Sequence, residues 1–303
     1  MIARQGNTGD RGALVLMALI VLIWGAGWVI MKFLSPYVGA FDVVVIRYAI
    51  GFVSLLVIQL AWGRRFRLPP ILLTLAIAVF QTTAFQCLVQ FALIAGGAGG
   101  VVMMAYTLPF WVALFAWLFM GDRPTRNHGV GFVLAAVGLL AVIRPWELHG
   151  ALVSMLLALA GGASWGLGTV FSKMLFIRHP NADVLNLTTW QMLLGTLMAW
   201  PFTRLVPQPD IAWNAGVVFG LVYLGVMSSA VAWILWLAVV RRVNATVAGM
   251  SGLGVPVLTV LLAWALLGER PTLLELSGIT LMMAGLVVVN LAGIRKPPRP
   301  GAT

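Results

Sequence analysis

Long apolar stretches separated by short polar connections dominate the pattern of residues along this chain. A transmembrane helix needs about 20 mostly apolar residues to cross about 30 Å of hydrocarbon. Ten stretches suit such helices, at about 14–34, 41–62, 71–93, 98–119, 128–143, 151–174, 184–203, 214–238, 245–267 and 273–292. Connections such as GRRFRLPP and LVPQPD leave no room for a soluble domain. The pattern therefore predicts an all-α integral membrane protein with ten transmembrane helices.

The composition argues against a soluble protein. Of the 303 residues, 61% are hydrophobic and only 9% are charged, whereas a soluble domain has about 25% charged residues. The surrounding solvent must therefore be a lipid bilayer. The single cysteine, Cys87, lies within an apolar stretch, which argues against a disulfide framework and a thiolate metal site. We expect neither a metal ion nor another cofactor.

The placement of positive charge indicates the orientation in the membrane. The formal net charge is +11, and the lysines and arginines lie mainly in the connections, which favours basic cytoplasmic loops over binding of nucleic acid. With both termini in the cytoplasm, fourteen of these residues lie on the cytoplasmic side and four on the other side. We therefore predict a multi-pass protein of the cell inner (plasma) membrane. Its N-terminal segment, 1–13, and its basic tail, 293–303, would both be cytoplasmic.

Two sequence phrases occur twice. WGAGWVIMK at 24–32 recurs as WGLGTVFSK at 165–173, and PFWVALFAWLFMGDRPT at 109–125 recurs as PVLTVLLAWALLGERPT at 256–272, 147 positions later. Each half, 14–143 and 151–292, therefore holds five predicted helices. Because five is an odd number, the second half must enter the membrane from the opposite side. The repeat predicts two inverted-topology five-helix repeats.

These paired halves and both phrases resemble the ten-helix drug/metabolite transporter superfamily, and each half resembles an EamA domain. The resemblance covers residues 14 to 292 and implies a carrier of small-molecule substrates, commonly an exporter of amino acids or other metabolites. It also implies a central cavity framed mainly by helices 1, 3, 4, 6, 8 and 9. The members that it suggests most are exporters of aromatic and neutral amino acids, which would work by alternating access.

Both copies of both phrases lie near the centres of their helices, where inverted-repeat carriers place the substrate. The candidate substrate-binding residues are Trp24, Trp165, Gln81, Gln86, Tyr106, Ser164, Gln191, Ser228 and Ser251. A proline inside a helix removes a hydrogen bond and kinks it, and glycines let helices approach. The candidate hinge or gating residues are Gly25, Gly27, Gly166, Gly168, Pro109 and Pro256. Plain packing stays open for the glycines and tryptophans, and helix–helix hydrogen bonding for the polar residues.

Arg47 is the one arginine within a predicted span. We expect it to extend outward to the interface or to pair with Asp42, Glu269 or Glu275, in preference to contacting a substrate. All eight carboxylates lie at or near the ends of spans, so the sequence offers no buried proton relay and leaves the energy coupling open.

Other functional classes find less support. GASWG at 162–166 matches the G-x-S-x-G pattern of hydrolases, but that motif needs a strand-to-helix turn and here lies within a predicted helix. We therefore do not expect an enzyme. The alternatives left open are a channel, a passive membrane protein that binds lipid or small molecules, and an uptake carrier for another metabolite class. Assembly as a homodimer also stays open.

Overall fold

Helices account for the regular secondary structure of the described residues, as the long apolar stretches predict. The structure is a computed structural model that describes residues 8–96, 104–123, 125–143, 152–267 and 272–294. Parts of six predictions lie outside the described residues. These parts are 1–7 of the N-terminal segment, 98–103 of the fourth span, 124 of the GDRPT motif, 151 of the sixth span, 268–271 of the GERPT motif and 295–303 of the tail.

We number the helices in chain order. Seven are uninterrupted: α1 Thr8–Leu34, α2 Ala40–Ala61, α4 Leu108–Met120, α5 Arg126–Ile143, α6 Leu152–Arg178, α7 Val184–Ala199 and α10 Leu273–Ile294. Between α2 and α4, α3 comprises Ile71–Ile77, a π-helical segment at Ala78–Ala84, and Phe85–Gly96. Further along, α8 comprises Ala215–Tyr223, a π-helical segment at Leu224–Val231, and Ala232–Arg242, and α9 comprises Ala245–Ser251 and Gly254–Leu267. A short helix, Phe202–Leu205, follows α7.

The length and composition of the helices confirm an all-α integral membrane protein. Within the described ranges, six stretches are long and apolar enough to cross a membrane: Gly12–Leu34, Ala40–Ala61, Ile71–Ala92, Leu152–Arg178, Ala215–Arg242 and Ala245–Leu262. Three shorter apolar helices are Leu108–Met120, His128–Val142 and Leu273–Val289. The count of ten spans and the inverted relation of the halves stay predictions.

The two π-helical segments carry polar residues of the predicted site. One contains Gln81 and Thr82, and the other contains Ser228 and Ser229, 147 positions later. A π-helical turn widens the helix by one residue and occurs frequently at functional sites. The same local distortion therefore recurs at the offset of the sequence repeat.

The expectation that Pro109 and Pro256 kink the interior of a helix is wrong. Pro109 lies in the first turn of α4, which follows a turn at 106–107. Pro256 lies in the first turn of the second part of α9, which follows a turn at 252–253. The first N–H groups of a helix have no partner within it, so proline costs little there and begins the helix. The fourth and ninth predicted spans are thus both interrupted just before the proline.

A proline also shortens the seventh predicted span. The sequence predicts apolar helix over 184–203, but α7 ends at Ala199 and is followed by Pro201 in a turn. Proline lacks an N–H and cannot continue the hydrogen bonds of the helix, which explains the earlier end.

Helices from the two halves pack against one another. The core is formed by α1 against α8 and α9, α6 against α3 and α4, and α2 against α7. At one side α5 packs along α10. The buried core that these helices share includes Trp165, Trp233 and Trp236, so the aromatic residues lie where α1, α6 and α8 converge.

Candidate functional site

Four tryptophans from three helices form the centre of the molecule. Trp24 comes from α1, Trp165 from α6, and Trp233 and Trp236 from α8. The ring centroids of Trp24 and Trp165 lie 5.4 Å apart with an interplanar angle of 82°, and those of Trp165 and Trp233 lie 5.0 Å apart. The ring centroid of Phe85 in α3 lies 4.8 Å from that of Trp165, again with the rings edge to face. Such edge-to-face pairs are favourable beyond the area that they bury.

These rings line a small central cavity. Its lining residues are Trp24, Trp28, Phe85, Ala105, Tyr106, Leu108, Trp165, Trp233, Trp236, Gly252 and Val255. The cavity volume is about 60 Å³, which holds a few water molecules at about 10–15 Å³ each. Sites for small ligands enclose about 300–1,000 Å³. In this conformation a metabolite therefore fits only if the aromatic side chains move apart.

Both halves of the chain contribute equivalent positions to the cavity. Ala105 lies just before the turn that precedes α4 and Leu108 begins α4, whereas Gly252 and Val255 lie 147 positions later at the interruption of α9. The two interrupted spans therefore meet the cavity at the same relative place. Interrupted helices at mid-membrane depth are typical of carrier sites, because their backbone can line a cavity.

The indole N–H groups in the cavity wall differ in their partners. Trp24 Nε1 donates to the backbone oxygen of Ser228 at 3.0 Å. In contrast, the Nε1 atoms of Trp165 and Trp236 are buried and have no acceptor among the described residues. A buried donor without a partner costs about 1–3 kcal/mol. These two N–H groups are therefore available to an acceptor that enters the cavity.

The predicted polar residues mainly join helices. Gln81 Nε2 donates to Thr169 Oγ1 at 2.9 Å, which ties α3 to α6. Ser164 Oγ donates to the backbone oxygen of Phe80 at 2.7 Å across the same interface. These contacts are helix–helix hydrogen bonds of the kind that polar residues in membrane spans commonly form.

The remaining predicted residues fall into four groups. Trp24, Trp165 and Tyr106 line the cavity. Gln191 and Ser228 hydrogen-bond to neighbouring helices, whereas Ser251 Oγ donates to the backbone of Val247, one turn earlier in its own helix. Gln86 is buried, and its Nε2 has no acceptor in the part of the chain that the structure describes.

Gly25 and Gly27 allow α1 to approach two helices of the other half. A Cβ atom on Gly25 would lie 2.9 Å from Leu258 Cδ2 of α9. A Cβ atom on Gly27 would lie 3.1 Å from Ser228 Oγ of α8. Close packing is therefore their evident role, and hinge motion at these positions stays a prediction.

Gly166 and Gly168 do the same for α6. A Cβ atom on Gly166 would lie 2.8 Å from Trp111 Cβ of α4, and one on Gly168 would lie 2.9 Å from the Cα atom of Gln81 in α3. Both distances are shorter than real Cβ contacts. The backbones of α6, α3 and α4 can approach this closely only because glycine occupies both positions.

Arg47 does not have the partners that the sequence predicts. Its side chain is buried, Nε donates to Ser229 Oγ at 2.8 Å, and Nη2 donates to Ser228 Oγ at 3.1 Å. Nη1 approaches the sulfur of Met31 at 3.4 Å. Its contacts among the described residues include no carboxylate. The expected ion pair with Asp42 or Glu275 is therefore wrong, and Glu269 lies outside the described residues.

Several lining residues were missed from the sequence. Trp233 and Trp236 lie three positions apart in α8 and thus share one face of the helix, a signal that could have been combined with Trp24 and Trp165. Trp28 lies one turn after Trp24 and packs 6.1 Å from the ring of Tyr106. No comparable spacing singles out Phe85.

Known proteins share the sequence pattern and the fold of this chain. A sequence model of the EamA-like transporter family matches residues 11–144 and 152–291, one match in each half. YoaV, a transporter of Bacillus subtilis (strain 168), is 24% identical over 278 residues, which cover 88% of this chain and 92% of the relative. A Salmonella typhimurium protein described as a "Probable amino-acid metabolite efflux pump" is 28% identical over 293 residues, 92% of this chain and 95% of the relative. One crystal structure, 19% identical in sequence, has the same fold, with a TM-score of 0.79 over 95% of this chain and 100% of the other.

Proposed function

The chain belongs to the EamA-like transporter family, and on that premise we propose that it exports neutral or aromatic amino acids by alternating access. The substrate would bind in the central cavity between the tryptophans. The chain would cross the membrane ten times, as two inverted-topology five-helix repeats with both termini in the cytoplasm. The aromatic cavity, to which equivalent positions of both halves contribute, carries the proposal.

Contacts between α5 and α10 support the inverted relation of the halves. Gly131 and Gly138 correspond to Gly278 and Gly285 at the offset of 147. In space Gly131 faces Gly285, and Gly138 faces Gly278. This exchange of partners is what a two-fold axis between the helices produces. The residue numbers rise on α5 as they fall on α10, so the helices are antiparallel, as an axis in the membrane plane requires.

The helices around the cavity follow the same relation. Gly27 of α1 packs on Ser228 of α8, and Gly168 of α6 packs on Gln81 of α3. Gly168 lies 141 positions after Gly27, and Ser228 lies 147 positions after Gln81. Each half thus supplies one first helix and one π-distorted helix to the same central site.

The chemistry of the cavity suits an apolar or aromatic substrate group. Its walls present both edges and faces of indole rings, and stacking on such a ring adds about 0.5–1.5 kcal/mol to the area that is buried. The substrate class also agrees with the description of the similar Salmonella protein as an amino-acid metabolite efflux pump. The small volume of the cavity, about 60 Å³, favours a carrier over an open channel, because passage requires the aromatic side chains to separate.

The test is counterflow in proteoliposomes with radiolabelled amino acids. Trp24→Ala and Trp165→Ala should each raise the half-saturation concentration about tenfold, which corresponds to about 1.4 kcal/mol. The phenylalanine variants should lose less, because they keep an aromatic face. Trp117→Ala is the matched control, since Trp117 lies on α4 and is 48% exposed.

Two results would count against the proposal. Unchanged half-saturation in both alanine variants would make the tryptophans packing residues and move the site elsewhere. Flux that neither saturates nor supports counterflow would favour a channel.

A further inference from the structure

Arg47 carries a positive charge inside a helix that is long and apolar enough to cross the membrane. Only 6% of its surface is exposed, and its contacts among the described residues are two serine hydroxyls, one thioether sulfur and the ring of Tyr48, whose centroid lies 5.6 Å from Cζ. Hydroxyl groups and an aromatic ring compensate a buried charge only in part, so an arginine at this depth is costly unless an anion neutralises it. Something other than the described protein groups is needed to balance this charge.

The second half of the chain shows that the structural contact does not need a charge. Gly51 and Gly195 occupy equivalent places, packed on Ser229 and Thr82 of the two π-helical segments. Four residues before each glycine lie Arg47 and Gln191. Gln191 Nε2 donates to Thr82 Oγ1 at 2.8 Å, just as Arg47 Nε donates to Ser229 Oγ. A neutral amide therefore makes the same hydrogen bond between a helix and a π-helical segment. The need for this hydrogen bond does not explain why residue 47 carries a charge.

Arg47 is also connected to the wall of the cavity. Its Nη2 donates to the side chain of Ser228, and the backbone oxygen of the same serine accepts the indole N–H of Trp24. Met31, its third contact, lies one turn beyond the cavity residue Trp28. Arg47 is therefore joined through Ser228 and Met31 to the part of the wall that α1 contributes.

The guanidinium retains donors for a further ligand. Arginine has five N–H groups, and here Nε, Nη1 and Nη2 each direct one of them to a protein atom. Nη1 and Nη2 thus keep one N–H each, and a carboxylate can accept from both at once. The unpaired polar atoms of the cavity lining, Nε1 of Trp165 and of Trp236, are likewise donors. These donors of Arg47, Trp165 and Trp236 favour an oxygen-rich anionic group.

We propose that Arg47 is an anion-binding subsite that takes the carboxylate of the transported amino acid, while the tryptophan cavity takes its side chain. This subsite rests on the proposed function. The zwitterion would enter with its carboxylate toward α2 and α8, and its negative charge would neutralise the guanidinium during passage. Arg47 thus selects substrates with a carboxylate over their neutral analogues.

The test compares L-phenylalanine with L-phenylalaninamide, which lacks the carboxylate, in proteoliposomes. In wild-type protein the acid should compete for counterflow at a concentration at least about tenfold lower than the amide does. Arg47→Gln, which copies the residue at the equivalent position of the other half, should remove this preference by weakening the acid alone. Arg47→Lys should keep part of it, because the charge remains but the planar fork is lost.

Control measurements separate recognition from structure. Gln191→Ala removes the equivalent bond without changing a charge and should keep the preference for the acid. The melting temperature of Arg47→Gln should equal or exceed that of the wild type, because a buried uncompensated charge is removed. Binding is also measured in detergent by quenching of tryptophan fluorescence, so that a variant that binds but does not transport still reports its preference.

The outcomes are distinct. Absence of amino-acid counterflow in the wild type would overturn the proposed function, and this subsite with it. Counterflow in the wild type together with an unchanged preference for the acid in Arg47→Gln would overturn the subsite alone. A lowered melting temperature in Arg47→Gln with an unchanged preference would make Arg47 a structural residue.

Discussion

Replacing Gly138 by alanine should separate α5 from α10 and destabilise the protein. A Cβ atom at this position would lie 2.5 Å from the backbone oxygen of Gly278 and 2.8 Å from the backbone nitrogen of Met282. Both neighbours are backbone atoms of a helix, so neither can rotate aside as a flexible side chain can. The helices must therefore move apart or slide along each other.

The expected cost follows from the size of this overlap. The 2.5 Å distance is roughly 1 Å shorter than ordinary van der Waals contact. Moving the helices apart to relieve it opens a gap of about 0.5–1 Å elsewhere along the interface, and such a gap removes a quarter to a half of the energy of each dispersion contact there. Overpacking of this kind costs about 1–3 kcal/mol. The higher helix propensity of alanine offsets up to about 1 kcal/mol of this loss in the free energy of unfolding. We expect a net loss of about 1–2 kcal/mol.

The double variant provides an internal check on the mechanism. Gly278 faces Gly138, and a Cβ atom on Gly278 would lie 2.6 Å from the backbone oxygen of Gly138. Once one alanine has separated the helices, the second meets less resistance. Gly138→Ala combined with Gly278→Ala should therefore cost less than the sum of the two single variants, as expected for residues in contact.

Cys87 offers a direct assay of unfolding. It is the single cysteine of the sequence and is 5% exposed, so a thiol-reactive fluorophore in detergent reports its exposure on heating. Gly138→Ala should melt about 3 °C or more below the wild type. The matched control is Gly129→Ala in the same helix, where a Cβ atom would meet no atom within 4 Å. Equal melting of Gly138→Ala and wild type, or an equal loss in Gly129→Ala, would refute the reasoning.

Three further predictions concern other parts of the molecule. Lys173→Met should lower the melting temperature in the same assay, because the ammonium group donates to three carbonyls at the C-terminal end of α8. Each lost hydrogen bond costs about 0.5–1.5 kcal/mol. An unchanged melting temperature would show that water replaces the ammonium group. A cysteine at Arg65 should resist a membrane-impermeant thiol reagent added to intact cells, whereas one at Asp210 should react, and the reverse pattern would contradict cytoplasmic termini. Pro109→Ala and Pro256→Ala should slow counterflow at nearly normal melting temperature, because proline in a first turn contributes no hydrogen bond; unchanged kinetics in both would leave them as packing features.

Local sequence features predicted the elements of the fold well. Apolar stretches of about 20 residues mark helices because a backbone in hydrocarbon must satisfy its own hydrogen bonds, and α1, α2 and α6 lie where that rule predicts. The repeat placed Gln81 and Thr82 opposite Ser228 and Ser229, and the structure adds that both pairs lie in π-helical segments. Apolarity does not distinguish helical subtypes, so these distortions could not be predicted from the stretches alone.

The local sequence did not predict the structural surroundings of Pro109 and Arg47. Pro109 lies at the centre of an apolar stretch, where a kink is expected, but the turn before it makes it the start of α4. An arginine within a span is expected to pair with a nearby carboxylate, but the hydrogen-bond partners of Arg47 include serines 181 and 182 positions away. Which groups meet a buried side chain depends on how helices from distant parts of the chain pack together.

The membrane environment, the approximate helices and the duplication follow from the order of residues, because hydropathy and sequence repeats are local properties that no packing can alter. The cavity between Trp24, Trp165, Trp233 and Trp236 does not follow from that order, since it brings together helices about 70 to 210 residues apart. The same holds for the seam of glycines between α5 and α10 and for the serine partners of Arg47. Only the tertiary structure decides these contacts, because in a bilayer the helices associate through the fit of their surfaces, and that fit exists only once both surfaces are formed.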